Sequence, residues 1–144
     1  MRVRDVMTKN PVCAGPTTTV VALARLMADS NCGEIPICKD GRLVGVVTDR
    51  DVTCRTVARL LDPEQTKAAD IMTLLPVSLF EDDSLANAIA VMEQESIRRA
   101  PVLNATGTLV GILSQVDVAM RASYRKAGKM LAKPRPLPLA NMRA

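Results

Sequence analysis

Two stretches of this sequence are versions of each other. Residues 3–12 read Val-Arg-Asp-Val-Met-Thr-Lys-Asn-Pro-Val, and residues 68–77 read Ala-Ala-Asp-Ile-Met-Thr-Leu-Leu-Pro-Val. Asp5, Met7, Thr8, Pro11 and Val12 thus recur 65 residues later as Asp70, Met72, Thr73, Pro76 and Val77. Met27 and Pro36 recur in the same register as Met92 and Pro101. The register then slips by one, so that Leu43-Val44-Gly45 matches Leu109-Val110-Gly111 and Asp51-Val52 matches Asp117-Val118. The extra residue falls where Lys39-Asp40-Gly41 is answered by Asn104-Ala105-Thr106-Gly107, a turn, where insertion is tolerated. A unit of about 55–60 residues buries too little surface to stand alone, so the two are expected to pack on each other.

Within each unit the patterning changes period. Val20, Leu23, Ala24 and Met27 share one face of a helix near 18–30, and Leu85, Ala88, Ile89 and Met92 share one near 83–95, capped by Asp83 or Ser84. Ile35–Cys38 and Arg42–Val47 read as a hairpin around Asp40-Gly41, and Ala100–Leu103 with Thr108–Leu113 as a second. A helix follows each hairpin, about 49–61 and 115–126. The fold class is therefore α+β. The expected organisation is a first domain over 1–60, a linker over 61–69, a second domain over 70–125, and a flexible basic tail over 126–144. That tail contains Lys133-Pro-Arg-Pro-Leu-Pro138, which cannot continue a helix.

Charge follows the same division. The chain carries 19 Lys+Arg against 15 Asp+Glu, and residues 121–144 hold seven of the basic residues and no acid. The first 120 residues are net −3, so the formal +4 belongs to the tail. There is no His and no Trp, with Phe80 and Tyr124 the only aromatics. The stacking platforms of single-stranded nucleic-acid binders are missing, so nucleic acid is not an expected partner. His-dependent catalysis and His-bearing metal sites are missing too, and no Ser/Cys/Lys constellation replaces them, so the chain reads as a non-enzyme. No stretch reaches the ~18–20 apolar residues of a membrane span. Met1–Met7 lacks the apolar region of a secretory signal, which makes cytoplasm the expected compartment. Cys13, Cys32, Cys38 and Cys54 form no Cys-x-x-Cys pair, and no metal is expected. They read as reduced, packed thiols, with a Cys13/Cys38 redox pair or a metal sensor as the alternatives.

The repeated residues resemble a tandem pair of cystathionine-β-synthase-type (CBS) domains, the Bateman module. The likeness rests on Asp5-Val-Met-Thr8…Pro11-Val12 and Asp70-Ile-Met-Thr73…Pro76-Val77, on Ile35-Pro36 and Ala100-Pro101, and on Gly45-Val-Val-Thr48-Asp-Arg-Asp51 and Gly111-Ile-Leu-Ser114-Gln-Val-Asp117. The last two fit the family pattern Gly-h-h-[Ser/Thr]-x-x-Asp, and the likeness runs from residue 1 to about 124. It implies two β-α-β-β-α units about a pseudo-twofold axis, in a homodimer. It further implies a regulatory ligand in clefts between the units: an adenine nucleotide (AMP, ADP or ATP), S-adenosylmethionine or NADH. Any signal would reach a separate effector protein, and a ligand-independent interaction module is the other reading.

On that resemblance the ligand-binding candidates fall into two sets. Thr48 and Ser114 stand where a strand becomes a helix, suited to phosphate, with Asp51 and Asp117 one turn on, suited to ribose hydroxyls. The adenine would pack near Val12, Ile35 and Pro36, or near Val77, Ala100 and Pro101. Arg50, Arg98 and Arg99 offer planar forks to anions. Gly33 and Glu34 occupy the places of Arg98 and Arg99 in the first repeat, so the two clefts should differ, and Gly33 allows a close backbone approach. Ser/Thr-x-x-Asp is also nearly a capping box, and local sequence leaves capping and ligand binding both open.

Overall fold

The computed structural model describes residues 1–74 and 76–126; the basic tail expected over 126–144 lies outside these but for Lys126. The elements follow the repeat. A short lead-in strand, β1 (Thr8–Lys9), precedes α1 (Val20–Ser30), the hairpin β2 (Glu34–Lys39) and β3 (Arg42–Thr48), and α2 (Asp49–Val52), which a π-helical turn continues over Thr53–Val57. The second unit comprises α3 (Ala68–Ile71), β4 (Thr73–Leu74), β5 (Leu79–Phe80), α4 (Leu85–Gln94), β6 (Arg99–Leu103), β7 (Leu109–Ser114) and α5 (Gln115–Lys126).

Local chemistry places the boundaries. Thr19 caps α1 and Ser84 caps α4, each hydroxyl accepting a backbone N–H from three residues on, at 3.3 and 3.2 Å. Asn31 ends α1 in the left-handed region (φ 48°), and Ser96 adopts the same conformation (φ 54°) at the equivalent place after α4. The first hairpin turns through Asp40 (φ 52°) and Gly41 (φ 76°), the type I′ geometry that matches strand twist.

The sheets are not built from one repeat each. One has the order β2-β3-β4 and the other β1-β7-β6-β5. β1 lies antiparallel to β7, with Thr8 opposite Ile112 and Lys9 opposite Gly111, while β4 lies on β3, with Thr73 opposite Val46 and Leu74 opposite Gly45. The two repeats thus exchange their lead-in segments. The Val3 N–H donates to the Asp83 carbonyl (3.0 Å) and the Leu85 N–H to that of Met1 (3.0 Å). Their counterparts are Ala68 N–H to Thr18 (2.8 Å) and Val20 N–H to Thr66 (2.9 Å).

Two cores follow from the exchange. Val20, Leu23, Met27, Ile35, Ile37 and Val47 of the first repeat bury Ala68 and Ile71 of the second. Leu79, Ala88, Met92, Ala100, Val102 and Leu113 of the second bury Val3 of the first. Gly45 and Gly111 explain the close fit. A Cβ at Gly45 would lie 2.8 Å from Met72 Sδ and 2.9 Å from the Thr73 carbonyl oxygen; at Gly111, 2.5 Å from Met7 Sδ and 2.9 Å from the Thr8 oxygen. Arg55 adds a polar clamp, donating from Nη1 to the carbonyls of Ile71 (2.9 Å) and Met72 (3.4 Å).

Candidate functional site

β3 runs straight into α2 at Thr48, and β7 into α5 at Ser114, so each hydroxyl stands at a strand-to-helix junction. Thr48 Oγ1 accepts the Asp51 N–H (3.1 Å), and Asp51 Oδ2 accepts the Thr48 N–H (2.9 Å). Ser114 Oγ accepts the Asp117 N–H (3.1 Å) and donates to Asp117 Oδ2 (2.7 Å), which also accepts the Ser114 N–H (2.9 Å). Both motifs are therefore closed capping boxes. Each cap uses only Oδ2. Asp51 Oδ1 lies 3.6 Å from Arg55 Nε, and Asp117 Oδ1 takes a long bond (3.4 Å) from Thr8 Oγ1. One carboxylate oxygen at each motif is held loosely, so capping and binding a hydroxyl do not compete for the same atom. Thr48→Ala and Ser114→Ala are each expected to cost about 1 kcal/mol of stability through the cap alone, measurable by urea denaturation.

Beside Ser114 lies an open cavity of about 400 Å³. The exchange assembles it. Thr8, Asn10, Pro11 and Val12 come from the first lead-in, Cys32 and Glu34 from the segment after α1, and Arg99, Ile112, Ser114 and Val116 from the second repeat. Pro11, Val12, Ile112 and Val116 give it apolar lining, and Arg99, Ser114, Asn10 and Glu34 polar lining. Thr73, Pro76, Val77, Val46, Thr48 and Arg50 hold the repeat-equivalent positions around Thr48.

The sequence-selected residues divide accordingly. Val12, Arg99 and Ser114 meet in the cavity, with Asp117 joined to it through Thr8. Val12 lines the Ser114 cavity, between β1, which pairs with β7, and Ala14, whose N–H donates to the Pro36 carbonyl (3.0 Å). Ile35 and Ala100 are fully buried in the two cores, and Pro36 and Pro101 are buried beside them. Gly33 and Arg98 act through their backbone: their carbonyls accept the Asp49 N–H (3.0 Å) and the Gln115 N–H (2.9 Å) that open α2 and α5. A Cβ at Gly33 would lie 3.0 Å from Asp49 Oδ2, so the glycine makes room for that carboxylate. The side chains of Arg50 and Arg98 are exposed, and Val77 is half-buried.

Glu34 is the site residue whose setting sequence reasoning missed. Its position opposite Arg99 in the repeat alignment was the available signal. It is 9% exposed, and its Oε1 has no hydrogen-bond partner among the described residues. Burial pushes its carboxyl up to about 7; Arg99 opposes the rise and Asp51 adds to it. The thiols behave differently. Burial first, then the adjacent Cys13 thiol, raises Cys38 to about 11, so at neutral pH it is protonated and a weak nucleophile.

This fold, with a cleft shared between exchanged repeats and a capped Ser/Thr-x-x-Asp at each strand-to-helix junction, defines a tandem domain pair. The chain belongs to the CBS domain family, whose model matches residues 3–55 and again 68–123. It is 37% identical over 130 residues to the CBS domain-containing protein YhcV of Bacillus subtilis, covering 90% of this chain and 91% of that protein. The hypoxic response protein 1 of Mycobacterium tuberculosis is 34% identical over 117 residues, 81% of each chain. Its crystal structure with two coordinated zinc ions gives a TM-score of 0.76 at 33% identity, covering 83% of this chain and 98% of that one. The crystal structure of CBSX2 of Arabidopsis thaliana in complex with AMP gives a TM-score of 0.76 at 30% identity, covering 87% and 98%. Zinc fits poorly here. The chain has no His, and among the described residues no three Cys, Asp or Glu side chains converge as a metal would require. Among the described residues, no helix is long and apolar enough to cross a membrane.

Proposed function

We propose that this chain is a regulatory, non-catalytic sensor that binds an adenine nucleotide in its inter-repeat clefts, and that AMP is the ligand. The observation that carries the reading is the 400 Å³ cavity, where Ser114 and Arg99 of the second repeat share the lining with apolar Pro11 and Val12 of the first and Ile112 and Val116 of the second. A phosphate is favoured at the start of α5, by the Ser114 hydroxyl, the positive end of the helix dipole and the Arg99 fork, and a ribose beside Asp117 Oδ1. Pro11, Val12 and Ile112 suit the base without aromatic stacking. The AMP complex of CBSX2 supports the choice among adenosyl ligands.

The ligand would touch both repeats at once, so its binding free energy depends on how the halves are docked. Occupancy then shifts that docking, or the packing of a homodimer, by the differential affinity for the two arrangements, and a separate effector protein in the cytoplasm reads the change. A thermal-shift series of AMP, ADP, ATP, S-adenosylmethionine and NADH tests the proposal. At a hundredfold excess over Kd, AMP is expected to stabilise the chain by about 2.7 kcal/mol. Asp117→Ala, compared with its own unliganded baseline, should lose most of that gain. Absence of stabilisation by every ligand overturns the reading.

A further inference from the structure

Glu34 opens β2 and Arg99 opens β6, at equivalent positions in the two repeats, and both reach the wall of the Ser114 cavity. One cleft therefore holds a cation suited to phosphate and an acid that repels it. The acid is built in rather than solvated. Glu34 is 9% exposed, its Oε1 is sealed from solvent without a donor, and no Lys or Arg nitrogen among the described residues lies within 4.0 Å of its carboxylate. The charged groups facing it are Arg99 from β6 and Asp51 from α2.

We infer that phosphate binding in the Ser114 cleft is coupled to the uptake of one proton by Glu34, so that the cleft holds its nucleotide more tightly as pH falls from alkaline to neutral. The inference rests on the nucleotide reading above and adds its regulation. An ionised Glu34 adds a negative charge beside the incoming phosphate, with Arg99 the one cation among the described residues that line the cavity. A protonated Glu34 removes that repulsion and can donate a hydrogen bond to a phosphate oxygen. Burial places its carboxyl near 7, so small changes about neutrality alter its charge.

The size of the effect follows from linkage. If the complex requires the protonated acid, affinity scales with the protonated fraction and should be roughly tenfold higher at about pH 7 than at about pH 8.5. The second ionisation of a phosphate monoester, near ~6, lies below that window. Calorimetric titration of the full chain with AMP at both pH values, in two buffers of different ionisation heat, measures affinity and proton uptake together. Adenosine serves as the ligand without phosphate. The expected result is tighter AMP binding and net proton uptake for the native protein, neither for adenosine, and AMP binding by Glu34→Gln that is independent of pH. Glu34→Gln keeps the side-chain volume, so the folded variant reports on charge alone. AMP binding with no pH dependence, or a dependence that survives Glu34→Gln, overturns the proton coupling and leaves the nucleotide reading standing. Failure of both proteins to bind AMP at either pH overturns both.

Discussion

Gly111→Ala is expected to destabilise the protein by about 2–3 kcal/mol, the upper part of the range for overpacking a closed contact. The added methyl would lie 2.9 Å from the carbonyl oxygen of Thr8 and 2.5 Å from Met7 Sδ. The methionine can turn aside. The carbonyl cannot, because it belongs to β1, whose register on β7 is fixed by Thr8 opposite Ile112 and Lys9 opposite Gly111. Displacing β1 also pulls on Val3, which is fully buried in the second core. Gly45→Ala meets Met72 and Thr73 in the same way and should cost a similar amount. Urea denaturation of the single variants measures both values. A loss under about 0.5 kcal/mol, the scale of an ordinary surface substitution, would show that the lead-in segments are not tightly held.

The second large effect is on stability as a function of pH. Glu34 rises from the usual 4.5 to about 7 in the folded chain, so between those values the folded state binds a proton that the unfolded state has released. Stability from this group is therefore full at acid pH and is lost as pH rises through about 7. Burying an ionised carboxylate without a partner then leaves the native protein about 2–3 kcal/mol less stable at pH 8 than the group allows at pH 4. Glu34→Gln removes the titration, and the difference between variant and native stability should grow across this window. Asp5 acts in the opposite sense. The Arg2 N–H, donating to its Oδ2 at 2.8 Å, holds its carboxyl below the usual range, so any contribution from it fades only in strong acid. Denaturation at several pH values, read as variant minus native, separates Glu34 from such groups. A flat difference would contradict the assignment.

Much of this was legible in the residues. The repeat, the two hairpins and the helix starts are local features, set by Asp40-Gly41, by the caps at Thr19 and Ser84, and by the spacing of Val20, Leu23 and Met27. The motif Gly-h-h-[Ser/Thr]-x-x-Asp pointed to the strand-to-helix junctions, where the structure shows the capping boxes and leaves one carboxylate oxygen of each outside the cap. The exchange of lead-in strands was not legible. β1 and β4 are two residues long, and nothing in Thr8-Lys9 or Thr73-Leu74 encodes which hairpin will accept them. Glu34 was visible as a mismatch with Arg99. Its burial was not, since an acid at the start of a strand ordinarily faces water.

The crossed strands also bear on how such a chain can arise. A single unit of this kind would leave one edge of its sheet bare and Val3, or Ala68 and Ile71, without a core to enter. Two free copies could satisfy each other only by reciprocal donation, the arrangement of a domain-swapped dimer. In the tandem chain the same donation is intramolecular. The loop around Asp62-Pro63 replaces a concentration-dependent encounter with a tether, and a cleft that would otherwise need two molecules to meet becomes a fixed property of one.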